Sequence, residues 1–376
     1  MKSILRLARK EMRSLKPCVH GGEVWEVMER NDLRMEEILD FSANINPLGP
    51  PLSALESIKR NLWRIPYYPD SDSTALREAI AKYLGDINKD NVVVGNGSTE
   101  LIHLFAEVFI ERGDIALIPA PTFGEYENAV RKMGGTTKHI RLDRDFQIDL
   151  DDFLDEMKGA KIVFLCNPNN PTSLLMPRRS LLKILEKAFE GDTLVFVDES
   201  FIEFVDEEKR FSLVDDVKNY PNLFVLRSIT KIFGLAGLRV GYGVTHSEIA
   251  KLLFRTKVPW NVNCLAQVAA IAALNDKEYL KMTWELIKSE REFLLNKLRE
   301  INGFKVFQAH ANFILVDIRN SGLTSAELKD RLLKYNILIR DCSSFRGLDE
   351  YYIRIAVRTR RENERLIKAL KEVLNT

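Results

Sequence analysis

The sequence predicts an α/β protein: a large domain with a mostly parallel sheet of the seven-stranded type between helices, followed by a smaller α+β domain. Short apolar, β-branched segments alternate with helical stretches over the first two thirds of the chain. Such uniformly apolar strands are typical of parallel sheets, because helices cover both faces. After about residue 262 the alternation ends. The length of 376 residues suits two domains at roughly 150 residues each.

Six apolar segments predict the strands of the large domain. These segments are 91–95, 115–119, 161–166, 193–198, 223–227 and 238–243. Helices are expected over 98–109 and 123–133, between the first three of them. Strands that alternate with helices in this way indicate crossover connections and a parallel sheet.

A second unit is predicted beyond the large domain. A helical stretch over 265–299 leads to strands at 312–317, 337–340 and 352–357, and a helix over 361–374 ends the chain. The predicted division is 1–46 for an N-terminal arm with part of the small domain, 47–262 for the large domain and 263–376 for the small domain. The first sixteen residues are basic, and their apolar residues have helical spacing, which predicts a short surface helix or alternatively a membrane or partner anchor.

Composition and charge exclude several classes of function. Lys+Arg is 55 and Asp+Glu is 54, so no broad basic surface for nucleic acid is expected. No apolar run approaches the roughly 18–20 residues that span a bilayer, and no secretory signal is recognisable. The four cysteines are far apart and the five histidines are scattered, which predicts neither disulfides nor a metal site. We therefore expect a cytoplasmic protein without membrane, nucleic-acid or metal partners.

Polar residues follow the predicted strands, where ligands of open α/β sheets bind. Ser98 and Thr99 open a helix directly after the first strand, and backbone N–H groups at a helix start bind phosphate. The alternative is that one of them only caps the helix. Asn170 begins the second of two Asn-Pro steps after the third strand, and Asp198 ends the fourth. A carboxylate at the end of a buried strand needs a partner, either a neighbouring side chain or a cationic cofactor ring.

The segment after the fifth strand, SITKIFGLAGLRVGY, is the most specific in the chain. Ser228 and Arg239 flank Lys231 at a spacing that lets both contact one phosphate. Lys231 lies among apolar and small residues, and desolvation lowers the pKa of a lysine and favours the neutral amine that forms a Schiff base. A phosphate site, a reactive lysine and an aspartate for a pyridinium nitrogen are together what pyridoxal 5′-phosphate requires.

The motifs GNGSTE, PTFGEY, NPNNPTS, VDES, SITKIFGLAGLRVGY and YIRIAVR occur in this order. The chain thereby resembles the fold-type I pyridoxal-phosphate enzymes of the aspartate aminotransferase superfamily, from about His20 to Leu374. Within that superfamily it is similar to histidinol-phosphate aminotransferases and to the threonine-phosphate decarboxylases of cobalamin biosynthesis. His20-Gly21-Gly22 and the segment DFSANINPLG at 40–49 resemble the decarboxylases more.

The resemblance implies a role for each candidate residue. Lys231 corresponds to the lysine that bonds the cofactor, Asp198 to the partner of the ring nitrogen, and Asn170 to an amide near the ring O3′. The remaining implied cofactor residues are Ser98, Thr99, Ser228 and Arg239 at the phosphate, Phe123 on the ring, and Tyr68 reaching the phosphate in a neighbouring subunit. Tyr68 thus implies a homodimer with shared active sites.

The substrate implied by the resemblance is a small phosphorylated amino acid. The implied substrate residues are His20, Gly21, Asn44, Asn170, Arg340 and Arg354. Forked arginine donors suit a carboxylate and a phosphate, and which arginine takes which anion stays open. The implied reaction is decarboxylation of L-threonine O-3-phosphate, with an aminotransferase as the alternative, because the same side chains serve both. A non-catalytic binding protein is a third possibility, which the presence of both Lys231 and Asp198 disfavours.

Two positions depart from the superfamily pattern. Phe201 stands where a tyrosine three residues after the aspartate is common, so one hydrogen bond to O3′ is expected to be missing. Ser173 replaces the glycine of the usual Asn-Pro-Thr-Gly motif. Neither change removes an essential group, but both weaken the expectation of an aminotransferase.

Overall fold

The structure is a computed structural model that describes residues 4–22, 24–31 and 33–374. A seven-stranded sheet forms its centre, with a four-stranded antiparallel sheet and a two-stranded sheet beside it. The strands are β1 Leu39–Asp40, β2 Val92–Gly95, β3 Ile115–Ala120, β4 Thr136–Arg141, β5 Ile162–Cys166, β6 Leu194–Asp198, β7 Leu223–Ser228, β8 Gly241–Thr245, β9 Lys305–Val306, β10 Phe313–Asp317, β11 Ile337–Leu338, β12 Arg340–Asp341 and β13 Tyr352–Ala356.

Helices surround these sheets. They are α1 Lys10–Ser14, α2 Val24–Asn31, α3 Leu52–Arg60, α4 Thr74–Leu84, α5 Ser98–Phe109, α6 Glu125–Met133, α7 Leu150–Glu156, α8 Arg178–Glu190, α9 Ile229–Ile232, α10 Ser247–Thr256, α11 Cys264–Leu274, α12 Lys277–Arg299, α13 Ser325–Leu333 and α14 Arg360–Leu374.

The order of the central sheet is β2-β8-β7-β6-β5-β3-β4. Only β8 runs antiparallel to its neighbours, so the expected mostly parallel α/β sheet is confirmed. One hydrophobic cluster packs α5, α6 and α10 against one face of the sheet. A larger cluster covers the other face and continues into the small antiparallel sheet. With both faces covered, the carboxyl ends of the parallel strands are left as the place for a ligand.

Local chemistry explains where the observed elements depart from the predicted ones. The stretch 265–299 forms two helices, because Asp276 interrupts it and caps α12 through the backbone N–H of Tyr279 at 3.1 Å. The strand predicted at 238–243 begins later, since residues Ala236–Leu238 form a 3-10 turn and Arg239 has a φ of 57°. The basic N-terminal segment forms a 3-10 turn, Ile4–Leu7, and the short helix α1 instead of one helix.

The N-terminal residues pair with a strand from the last part of the chain. Leu39 and Asp40 in β1 pair in parallel with Ile337 and Leu338 in β11. The predicted division at 46 and 262 remains a prediction. No helix in the described part of the chain is long and apolar enough to cross a bilayer.

Candidate active site

The strand ends converge on one cavity of about 960 Å³. Its walls come from the carboxyl ends of β3, β5 and β6, the start of α5, the segment after β7, the small-domain strands, and the N-terminal segment before residue 22. The cavity brings together most of the candidate residues, namely His20, Gly21, Asn44, Ser98, Thr99, Phe123, Asn170, Asp198, Lys231, Arg239, Arg340 and Arg354. The described residues contain no cluster of three or more His, Cys, Asp or Glu side chains suited to a metal ion.

Lys231 lies in α9, the short helix that follows β7. Burial, and after it the charges of Arg354 and Arg239, lower the pKa of Lys231 to about 8. Asn46 fixes the helix end, because its amide group donates to the carbonyl of Ile232 at 2.7 Å. The lysine is thus held in place with a substantial fraction of nucleophilic, neutral amine near neutral pH.

Asp198 is buried at the end of β6 and accepts two hydrogen bonds. The Tyr126 hydroxyl donates to Oδ2 at 2.7 Å, and the backbone N–H of Ser200 donates to Oδ1 at 2.9 Å. Burial nevertheless raises the pKa of Asp198, so the carboxylate favours a cationic neighbour. A protonated ring nitrogen is a suitable partner for it.

The start of α5 forms the phosphate end of the cavity. A Cβ on Gly97 would lie 2.4 Å from Nη2 of Arg239, and a Cβ on Gly241 would lie 2.5 Å from the backbone nitrogen of Ser98. Only glycine therefore allows the guanidinium and the helix N-terminus to approach each other this closely. Backbone N–H groups, the hydroxyls of Ser98 and Thr99 and a guanidinium form a typical phosphate site.

Arg340 and Arg354 are direct cross-strand partners in β12 and β13. Arg354 donates to the side-chain oxygen of Asn170 and, at 2.7 Å, to the carbonyl of Ser42. Arg340 donates to the carbonyls of Val19 and His20 at 2.8 and 2.9 Å. Both guanidinium groups are buried, and in the described part of the chain neither forms a salt bridge with a carboxylate. Two neighbouring cations that lack carboxylate partners suit an anionic ligand.

Two predicted residues do not line the cavity. Ser228 is buried beside it, and its hydroxyl forms a hydrogen bond of 2.7 Å with the hydroxyl of Thr230, which does line the cavity. Tyr68 is 80% exposed and stacks on Trp260 with 4.6 Å between ring centroids. The cofactor-phosphate roles of both residues remain predictions.

Sequence reasoning missed the polar partners on α6. Tyr126, which orients Asp198, and Glu125, which binds His20 and His103, both belong to the motif PTFGEY. The helix itself was expected, but the roles of these two side chains were not, because their partners lie on distant parts of the chain. The departure at Ser173 has a structural reason, since its hydroxyl accepts hydrogen bonds from the backbone of His310 and Ala311 at 3.1 and 2.9 Å.

The site fits pyridoxal phosphate. It offers a lysine of lowered pKa, a buried carboxylate and a phosphate cradle that only glycines permit. Asn44 Oδ1 and Arg354 Nε are buried without hydrogen-bond partners among the described residues, as expected of groups that meet a polar ligand. Fold and site together define a pyridoxal-phosphate-dependent α/β enzyme.

Comparisons with known proteins agree with this class. The family model described as aminotransferase class I and II matches residues 36–370, so the chain belongs to this family, and pyridoxal phosphate is its cofactor. A histidinol-phosphate aminotransferase of Methanothermobacter thermautotrophicus is 37% identical over 97% of both chains. A protein of Caldanaerobacter subterraneus, named provisionally as a threonine-phosphate decarboxylase, is 39% identical over 96% of this chain and 95% of its own.

A solved structure also resembles the chain. The L-threonine-O-3-phosphate decarboxylase of Porphyromonas gingivalis superimposes with a TM-score of 0.80 and 31% identity, over 89% of this chain and 99% of that one. Relatives named as histidinol-phosphate aminotransferases nevertheless predominate among the similar proteins. The comparisons thus give the family and leave the reaction open.

Proposed function

We propose that the protein decarboxylates L-threonine O-3-phosphate to (R)-1-amino-2-propanol O-2-phosphate and CO2. One observation supports a small substrate with two anionic groups more than any other, the pairing of Arg340 with Arg354 across β12 and β13. Directly paired antiparallel residues have Cα atoms roughly 5 Å apart. Because their backbones are neighbours and both side chains line the cavity, the two buried cations suit a short substrate with two anionic groups. Threonine phosphate carries a carboxylate and a phosphate a few bonds apart. Histidinol phosphate carries only the phosphate.

Each arginine has its own neighbourhood within the cavity. Arg354 is bonded to Asn170 and Ser42, and we assign it to the substrate carboxylate. Arg340 binds the backbone of Val19 and His20, and we assign it to the phosphate. Because these contacts hold both ends of the substrate, they set which bond at Cα is broken.

Two residues of the chain, Lys231 and Phe201, act close to the reacting carbon in this proposal. When bound, pyridoxal phosphate withdraws electrons from the substrate Cα. Lys231, with a pKa of about 8, is suited to hand a proton to Cα after CO2 has left. The ring centroid of Phe201 lies 5.9 Å from Nζ of Lys231. Because this ring carries no hydroxyl, it offers the lysine no hydrogen bond.

A second candidate is histidinol-phosphate-type amino transfer. It is favoured by the names of the predominant relatives, one of which is 37% identical over 97% of both chains. An aminotransferase would also use paired arginines, for the two carboxylates of 2-oxoglutarate. The two reactions differ in whether a keto acid is required.

One incubation tests the proposal. Purified holoenzyme receives L-threonine O-3-phosphate without any keto acid, and released CO2 and products are measured by mass spectrometry. Aminopropanol phosphate with equimolar CO2 is the expected result, and Lys231→Ala should abolish it. Unchanged threonine phosphate, with amino exchange once histidinol phosphate and 2-oxoglutarate are added, would establish the alternative.

We further propose that two copies share their active sites through Tyr68. The surface around it exposes large apolar side chains, namely Leu62, Trp63, Ile65, Tyr67, Val258 and Trp260. Exposed apolar patches of this kind mark interaction sites. Equal amounts of inactive Lys231→Ala and inactive Tyr68→Ala subunits, allowed to exchange, should regain about a quarter of the wild-type activity if sites are shared, because about half of the dimers are hybrids with one intact site of two. A monomer in sedimentation velocity would contradict it.

A further inference from the structure

A buried carboxylate behind the cavity lining joins two histidines from distant parts of the chain. Glu125, the first residue of α6, is 6% exposed. Its Oε1 lies 2.8 Å from Nε2 of His20, and its Oε2 lies 3.0 Å from Nε2 of His103. Of the two histidines only His20 lines the cavity. Glu125 therefore links a histidine that faces the cavity to one that does not.

Hydrogen bonding keeps Glu125 ionised. The bonds from His103 and His20 hold the pKa of Glu125 far below its usual range, against the opposing effect of burial. Cys18 also donates to this carboxylate, and burial raises the pKa of its thiol to about 12, so the thiol keeps its proton. We assign the Nε2 proton of both rings from these bonds. Every group bonded to the carboxylate thus donates to it.

This arrangement determines which atom His20 offers a ligand. With Nε2 committed to Glu125, only Nδ1 of His20 is left to meet a substrate group. The ring packs on Phe123 with 5.7 Å between centroids, and Arg340 donates to the His20 carbonyl at 2.9 Å. Among the described residues, the charged or titratable groups bonded to His20 are Glu125, which also binds Cys18 and His103, and Arg340, which donates to the His20 carbonyl.

We propose that Glu125 is a positioning residue, which aims Nδ1 of His20 at the phosphomonoester group of the substrate and stabilises the imidazolium that forms there. When a phosphate binds at Nδ1, the ring lies between two anions and takes up a proton from solvent, so that both ring nitrogens donate. His103 holds the second carboxylate oxygen and prevents Glu125 from turning away. The inference rests on the proposed function only in requiring a phosphorylated substrate.

The test compares Glu125→Gln with wild type as holoenzyme. Glu290→Gln is the matched control, because Glu290 is similarly buried and bonded, but its partners Arg360 and Asn363 do not line the cavity. Inorganic phosphate is titrated calorimetrically at pH 7.5 in buffers of different ionisation enthalpy. We expect proton uptake on binding in wild type and in Glu290→Gln. In Glu125→Gln the uptake should be lost and binding should weaken by about tenfold or more.

Kinetics separate positioning from a general structural role. In Glu125→Gln the KM for L-threonine O-3-phosphate should rise about tenfold, whereas the KM for L-threonine and both kcat values should change less than about threefold. Combining it with His20→Gln should add no further loss, because both changes remove one interaction. Equal losses for both substrates, additive effects of the two substitutions, or undiminished proton uptake would each overturn the proposal.

Two alternative experiments apply if the first comparison cannot be made. If Glu125→Gln does not fold, as judged by its thermal melting, His20→Gln is tested alone and must itself abolish proton uptake. If the enzyme releases no CO2, the same comparison is made with L-histidinol phosphate and L-histidinol. A phosphate preference that depends on Glu125 in that pair would support the positioning role and reject only the decarboxylase.

Discussion

The reactivity of Lys231 in the cofactor-free protein provides a quantitative test of the site. Burial and the nearby charges of Arg354 and Arg239 lower its pKa from 10.5 to about 8. At pH 7 about 9% of such an amine is neutral, against about 0.03% for an unperturbed lysine, so Lys231 should react about 300-fold faster than its exposed counterparts of equal nucleophilicity.

Trace labelling measures this difference directly. The apoprotein is treated with a limiting amount of acetic anhydride between pH 6 and 10, and labelling of each lysine is followed by mass spectrometry of its peptide. Lys187 is the internal reference, because its exposed ammonium pairs with Glu190, which raises its pKa. Labelling of Lys231 should rise about tenfold per pH unit up to about 8 and then level off, while that of Lys187 keeps rising.

Two variants identify the cause of the lowered pKa. Arg354→Met removes a like charge and should move the Lys231 midpoint upward, towards 10.5. Arg360→Met is the control, since this arginine pairs with Glu290 and is not among the groups that influence Lys231. A Lys231 profile that keeps rising to pH 10 in the wild type would refute the reasoning.

Three further substitutions test other parts of the site and fold. Asp198→Asn should keep the fold but lower kcat by about 100-fold, as measured by steady-state turnover with saturating cofactor. Gly97→Ala, at a φ of 81° and with its Cβ 2.4 Å from Arg239, should weaken pyridoxal phosphate binding by about tenfold while sparing phosphate-free pyridoxal, in fluorescence titrations. Gly243→Ala places a Cβ 2.0 Å from the buried ring of Phe224 and should cost about 3 kcal/mol in urea unfolding.

The fold follows from the sequence where one periodicity dominates a segment. The helix Ser98–Phe109 was predicted to the residue, because a glycine turn precedes it and apolar residues recur along one face. The edge strand Thr136–Arg141 was missed, since it is polar and only partly buried. The break at Asp276 was missed because apolar residues continue at helical spacing on both sides of it, although an aspartate is itself a common N-cap residue.

The site was predictable where single strands end in distinctive residues. Asp198 ends a strand, and Asn170 and Lys231 lie a few residues after one. A parallel sheet brings the carboxyl ends of its strands together regardless of their spacing along the chain. The pairing of His20 with Glu125 was not predictable, because 105 residues separate them and neither has a periodic neighbour. Local motifs therefore reveal groups on the sheet edge, whereas contacts made by the N-terminal segment require the folded chain.

In our proposal, the choice of reaction depends on the contacts made by the N-terminal segment. Lys231, Asp198 and the phosphate cradle serve any reaction of the family, so they do not distinguish loss of CO2 from transfer of the amino group. That distinction depends on how the substrate's two ends are held relative to Cα. Arg340 and Arg354 are fixed to each other by strand register and to the N-terminal segment by its carbonyls. If these arginines hold the substrate as we propose, moving that segment would reorient the substrate and leave the cofactor site intact, so we expect reaction specificity to depend on β12, β13 and the N-terminal segment.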